Sequence, residues 1–273
     1  MAMRRILLVI LIIFLGCQPA DEKTVQREQL KHKAAKLRLG MLLTPEDASG
    51  HLELGEIYHA MEEYKKAIEE FHEALVIDEE NAQVHNTLGL VYMDLQQIEA
   101  AVEVFQKAIE LEPANPAFHN NLGYAYDMDD EFGKAIEAYR TSIEIDAEFQ
   151  DAYFNFATAY HTRDQFEEAI IYYQQAIALD DSDSDAHCYL GDVYQETEQF
   201  ELAIREYEKS VVLSPTDAEI YYQLAQMYQK KNDSLTMKRY LDLFLEHAAD
   251  LPQFQNEIKI ARQMQRDASG VNR

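Results

Sequence analysis

The sequence predicts an all-α chain, a right-handed superhelical α-solenoid of six helix pairs with a capping helix at each end. Three observations carry this expectation. Compared with itself at a shift of 34 residues, the chain repeats a pattern six times without insertion. Within each copy apolar residues follow helical spacing twice, as in Leu88, Val91 and Tyr92 and then Ala101, Val102, Phe105, Ala108 and Ile109. Nine Gly and six Pro in 273 residues are too few for a turn-dense β chain.

Taken in order, residues 1–16 read as a secretory leader. Arg4 and Arg5 supply a positive start, and Ile6 to Gly16 is an apolar run ending at Cys17. A spanning helix needs about 20 apolar residues, so this run is short for an anchor. Phe14-Leu15-Gly16-Cys17 resembles the lipobox of bacterial lipoproteins, although Phe14 and Leu15 depart from the usual residues. The resemblance implies cleavage after Gly16 and lipidation of Cys17 with fatty acyl chains such as palmitate. An ordinary signal peptide or an uncleaved anchor are the alternatives. Gln18 after the cysteine implies sorting to the periplasmic face of an outer membrane.

Residues 17–47 then form a lipidated tether and an N-terminal helix, expected over Gln26 to Leu43 with Leu30, Ala34, Leu37 and Leu42 as contacts. The repeats occupy 48–251, as 48–81, 82–115, 116–149, 150–183, 184–217 and 218–251. Their columns are Gly55, Gly89, Gly123, Ala157, Gly191 and Ala225; Tyr58, Tyr92, Tyr126, Tyr160, Tyr194 and Tyr228; Ala67, Ala101, Ala135, Ala169 and Ala203; and Phe71, Phe105, Tyr139, Tyr173 and Tyr207. Small residues belong where helix axes approach closely, and rings fill the adjoining gaps. Residues 252–273 make a capping helix and tail, with Phe254, Ile258, Ile260, Ala261 and Met264 as its apolar side.

This pattern, L-G-x₂-Y…A-x₃-F…P, resembles the tetratricopeptide repeat. The resemblance implies that the first helix of each repeat lines a concave groove that holds extended peptides or partner helices. Carried over position by position, the groove comprises Asn86, Leu90, Asn120, Asn121, Tyr124, Phe154, Asn155, Thr158, His161, Asp192, Glu196 and Tyr222. Asn121 and Asn155 fall in the family's asparagine-ladder column, where an amide both donates to and accepts from a peptide backbone.

Motifs for catalysis are incomplete. His72-Glu73 begins a zinc-protease pattern, but Val76 takes the place of the second His. Asp181, Asp183 and Asp185 imitate a calcium loop, yet Ala186 replaces its turn Gly and the repeat phase makes the segment a helix start. His51, His85, His119 and His187 share one repeat column and are expected one helix-packing distance, about 10 Å, apart. That is too far to share a metal, whose ligands sit about 2 Å away. Cys188 is expected to be a buried small hydrophobe. Neither enzyme activity, a cofactor nor a metal site is therefore expected.

Charge narrows the partner. Fifty acids against 24 bases give −26, which disfavours the phosphate backbone of nucleic acid. Between 45 and 250 there are 45 acids and 12 bases, whereas 21–43 holds six bases against three acids. The groove's neutral aromatic middle and acidic last third suit a protein or peptide partner with apolar anchors and basic residues. A lipobox ahead of six repeats is similar in layout to the pilotin lipoproteins of secretin and type IV pilus assembly. An adaptor for envelope proteases or cell-wall hydrolases, or an accessory subunit of an envelope glycosyltransferase, shares that layout.

Overall fold

The computed structural model describes residues 22–44 and 47–268. The leader 1–16, the lipidation candidate Cys17 and the tail beyond 268 lie outside the described residues. Those described are all-α, with fourteen α-helices and one short 3₁₀ turn at Pro252–Phe254. The chain divides into two compact units, Met1–Pro113 and Ala114–Arg273.

In the first unit, α1 (Glu22–Met41) is followed by α2 (Ala48–Ala60), α3 (Tyr64–Ile77), α4 (Ala82–Asp94) and α5 (Ile98–Leu111). Leu30, Ala34, Leu37 and Met41 of α1 pack against the core around Leu54, Ile57, Phe71 and Leu88. The helix starts earlier than the apolar spacing implies and ends at Met41. Leu42 and Leu43 form an exposed turn, with the Leu43 N–H donating to Gly40 O at 2.9 Å. Leu42 is therefore not one of its core contacts.

The second unit contains α6 (Pro116–Met128), α7 (Phe132–Ile145), α8 (Gln150–His161), α9 (Phe166–Leu179), α10 (Ser184–Glu196), α11 (Phe200–Leu213), α12 (Ala218–Lys230), α13 (Ser234–Ala248) and α14 (Gln255–Ala268). Within each unit consecutive helices pack as pairs, each pair stacked on the next, in the manner of a solenoid. Ile258 and Ala261 of α14 bury against the α13 core of Met237, Leu241 and Phe244. The even-numbered helices α2 to α12 begin 34 residues apart, at Ala48, Ala82, Pro116, Gln150, Ser184 and Ala218. Asp47, Asn81, Asn115, Asp183 and Asp217 cap five of them by accepting backbone N–H groups.

One steric rule holds the four glycine-containing pairs together. A Cβ added at Gly55 would sit 2.4 Å from the Phe71 ring, and one at Gly89 2.5 Å from that of Phe105. At Gly123 and Gly191 the obstructing rings are Tyr139 and Tyr207, at 2.8 and 2.7 Å. These rings are fully buried, so they have no free volume to yield.

A second rule repeats at each turn within a pair. Glu62, Gln96, Asp130, Asp164, Glu198 and Asn232, again 34 apart, all have φ between 56 and 61°. Each closes a Schellman motif. In the first, Glu63 N–H bonds to Tyr58 O and Glu62 N–H to His59 O, both at 2.8 Å. The 6→1 acceptor is always the backbone of the tyrosine column: Tyr92, Tyr126, Tyr160, Tyr194 and Tyr228 repeat the pattern. A side chain in this left-handed region costs about 1 kcal/mol or more, and none of the six is glycine.

Gly89→Ala should destabilise the chain by about 1–3 kcal/mol, read as a lowered urea midpoint, because the Phe105 ring must leave its rotamer. Glu198→Gly should do the opposite. Relief of the left-handed strain outweighs the added unfolded-state entropy, for a gain of about 0.5 kcal/mol in the same assay.

Candidate functional site

The even-numbered helices of the second unit present one continuous set of side chains along α6, α8, α10 and α12. Tyr124 and Tyr189 are exposed, and Phe154 stands edge-on to Tyr189 with centroids 5.5 Å apart. Tyr173, fully buried, lies below both, 5.7 Å from Phe154 and 6.1 Å from Tyr189. The result is an aromatic floor on which Tyr189 is exposed and Phe154 half-buried.

Amides lie beside it. Asn155 Nδ2 donates to Asn120 Oδ1 at 3.0 Å, joining α8 to α6. Asn120 is only 5% exposed, as is Asn86 in the first unit. These two, expected to line the groove, instead support the stack. Asn121 and Asn155 are half-buried and remain at the surface of their helices, as does Leu90 on α4.

The buried tyrosines of the odd-numbered helices reach through to this face. Tyr173 Oη lies 3.0 Å from Thr158 Oγ1, and Tyr207 donates to Asp192 Oδ1 at 2.7 Å. Thr158 and Asp192 are the residues that follow the small-residue column, so the gap opened by Gly191 or Ala157 carries a hydroxyl from the core to the groove. Tyr139 occupies the same position below Tyr124, and its hydroxyl has no hydrogen-bond partner among the described residues. In the first unit Phe71 and Phe105 stand there instead. The switch from Phe to Tyr between the second and third repeats is visible in the sequence, and it was the signal for these positioning groups.

Towards α12 the face becomes acidic. Burial pushes the Asp192 carboxyl up to about 6, against the lowering effects of the Tyr207 hydrogen bond and His161; Glu219 and Glu196 push it up as well. Glu219 is raised too, first by burial and then by Asp217 and Glu257. Cys188, half-buried among Asp192, Asp217, Glu219 and Asp185, has its thiol pKa raised well above the ordinary value, so the thiolate needed for nucleophilic or metal chemistry is disfavoured. Tyr222 packs on Phe244, with centroids 5.0 Å apart.

Pairs of opposite polarity tie neighbouring helices along the edge. His161 Nε2 lies 3.0 Å from Glu196 Oε2, and His59 Nε2 lies 2.6 Å from Asp94 Oδ2 in the first unit. Arg163 donates to Asp127 and Asp130 at 2.6 and 3.1 Å and covers the Phe132 ring at 4.3 Å. Each pair spans 33 to 36 residues; His59–Asp94 and His161–Glu196 occupy equivalent positions three repeats apart, but Met93 and Asp127 interrupt that histidine column between them.

The histidine column is occupied locally. His51 Nδ1 and His187 Nδ1 lie 2.8 and 2.7 Å from Glu70 and Glu206, 19 residues on in each case, and His85 Nε2 lies 3.1 Å from Glu79 O. Asp183 caps α10 by accepting from Asp185 N and Ala186 N, which is the use the chain makes of its acidic triplet. No helix among the described residues is long and apolar enough to cross a membrane.

The model of the TPR repeat matches residues 55–96, 89–129, 158–198 and 191–232, and a second tetratricopeptide repeat model matches 116–149. No curated protein matches the chain. Among solved structures, the chain is similar to PilW, described as a widely conserved type IV pilus biogenesis factor, with 16% identity, TM-score 0.69, and coverage of 77% of this chain and 98% of that one. It is similar to Pseudomonas aeruginosa pilF at 21% identity and TM-score 0.59, covering 70% and 89%. It is also similar to Cut9 in the APC/C hetero-tetramer Cut9-Hcn1, at 16% identity and TM-score 0.68 over 89% of this chain, though it spans only 46% of that chain. At these identities the likeness is one of fold.

Because the folded pKa of Asp192 lies above the ordinary 3.8, the folded chain holds this proton more tightly than the unfolded chain. Ionised Asp192 therefore lowers stability above about pH 6, and the loss is recovered as pH falls towards 4. Asp192→Asn should be more stable than the parent in urea at pH 7.5, with the difference shrinking through that window. Tyr207→Phe, which removes a bond favouring the carboxylate, should move the Asp192 titration upward in a carboxyl-carbon NMR experiment.

The TPR repeat model alone matches more than half of the sequence, and the chain belongs to the tetratricopeptide repeat family.

Proposed function

We propose that this chain, a protein-interaction scaffold by family, is a non-catalytic lipoprotein of the bacterial envelope. Held through Cys17, it captures a partner segment along α6, α8, α10 and α12 during assembly of a secretin and type IV pilus. The observation that carries the capture is the juxtaposition of the Phe154–Tyr189 floor with the Asp192, Glu196 and Glu219 carboxylates. An apolar side chain packs on the rings, and a Lys or Arg two to four residues further along an extended segment meets the acids. That basic partner would also offset the cost of keeping Asp192 ionised.

Two lines support the pathway. The lipobox ahead of the repeats matches the pilotin layout, and the folds of PilW and pilF resemble this one. The acidic last third also separates this groove from one that clamps an acidic tail with Lys and Arg.

A photo-crosslinking residue at Tyr189, in the full chain in its native membrane, should trap a secretin subunit or its assembly partner. Asp192→Lys with Glu196→Lys should reduce that product at least tenfold while the helical circular dichroism stays unchanged. Cys17→Ser should release the chain to the soluble fraction. An undiminished crosslink in the charge-reversed variant would place the contact outside this face, and undisturbed membrane association of Cys17→Ser would remove the lipoprotein reading.

A further inference from the structure

The helix α1 carries a surface that the repeats do not use. Its Leu30, Ala34, Leu37 and Met41 are spent on the core. On the opposite side of the helix Val25, His32 and Leu39 face solvent, Leu39 at 67% exposure, and in the turn that follows Leu42 and Leu43 are 76% and 87% exposed. Lys and Arg flank this strip: between Val25 and Leu43 there are five bases and one acid. Arg27, Lys31 and Lys33 pair with Glu63, Glu28 and Glu53 at 3.9, 2.7 and 2.9 Å, whereas Lys36 and Arg38 make no ion pair among the described residues.

An apolar strip flanked by bases is the composition of a helix that lies in a membrane interface. A soluble partner would also cover apolar residues, but two features select a lipid surface. The strip sits in a basic segment of an acidic chain, six bases against three acids over 21–43, so anionic headgroups attract α1 while they repel the repeats, which carry −33 between 45 and 250. In sequence, Cys17 also lies five residues ahead of Glu22. A fully extended tether of that length reaches at most about 18 Å, so a bilayer holding Cys17 would be within reach of the strip.

We infer that α1 docks flat on an anionic bilayer through Leu39, Leu42 and Leu43, with Lys36 and Arg38 on the headgroups. This deepens the proposed membrane attachment and rests on that reading for its place in the cell, but the contact itself does not require acylation. It gives the chain a second hold on the membrane beside the acyl chains of Cys17, one that fixes α1 against the headgroups.

The test uses the full chain carrying Cys17→Ser and Cys188→Ala, labelled at Leu39→Cys with an environment-sensitive fluorophore. The probes are vesicles of phosphatidylcholine alone and of phosphatidylcholine with 30% phosphatidylglycerol, about a physiological anionic content. The emission should shift to the blue on the anionic vesicles and not on the neutral ones, and 0.5 M salt should reverse it. Lys36→Gln with Arg38→Gln should weaken the anionic binding about 25-fold, at roughly fivefold per base. A label at exposed Glu73→Cys on α3 should stay in water throughout. A probe at 39 that remains in water on both vesicles, or shifts equally on both, overturns the inference. Because the Cys17→Ser chain has no thiol to acylate at that position, neither result depends on whether Cys17 is lipidated in the cell.

Discussion

Five of the six helix pairs depend on one contact, the flat ring of an odd-numbered helix pressed against the backbone of its even-numbered partner; in the sixth, Leu241 takes the ring's place. A ring can lie that close only where the partner has no side chain or a methyl group, which is why the column reads Gly55, Gly89, Gly123, Ala157 and Gly191. The contact fixes the separation within a pair, and the tyrosine column then sets how the chain turns back. The carbonyl of Tyr58 and its counterparts closes the turn, so a left-handed residue must follow four positions later. Close approach and reversal are thus consecutive demands of the same helix.

The same contact explains how a protein with an apolar core controls polar chemistry at its surface. Where the ring is Phe, the gap is merely filled. Where it is Tyr, the hydroxyl emerges beneath the first groove residue and fixes its orientation, as with Thr158 and Asp192. A buried donor held by packing aligns Asp192 without occupying the whole carboxylate, and burial makes the remaining oxygen an unusually strong reader of positive charge. Specificity in this groove is in part a property of the layer behind it.

Much of this was legible in the sequence, because the 34-residue period and the alternation of small and aromatic columns are steric requirements that few residue types satisfy. The left-handed turn residues were not, since Glu, Gln, Asp and Asn at these positions carry none of the glycine signal by which such turns are found. Helical phase placed Asn120 and Asn121 on the groove side together, yet they are 100° apart on the helix, and only the packed structure shows Asn120 buried and joined to Asn155. The edge pairs escaped for another reason. His59–Asp94 and His161–Glu196 occupy the same two columns three repeats apart, but Met93 and Asp127 interrupt the histidine column between them, and Arg163–Asp127 uses a different position, so no column is continuous. For α1, the apolar spacing identified Leu30, Ala34 and Leu37 but not the end, because Leu42 reads as a core residue and is exposed in the turn after Met41.

The Tyr139 hydroxyl bears on how this groove can diversify. It lies beneath Tyr124 in the place where Tyr207 meets Asp192, a donor already built and buried with no acceptor among the described residues to use it. One codon-level change at position 124, from aromatic to carboxylate, would convert the aromatic end of the face into a second charge-reading station without any alteration of the core. The array therefore keeps a vacant socket two repeats away from an occupied one. New ligand preferences can be sampled there one residue at a time, because the costly part of the site, an aligned group inside a packed helix pair, is inherited with the fold.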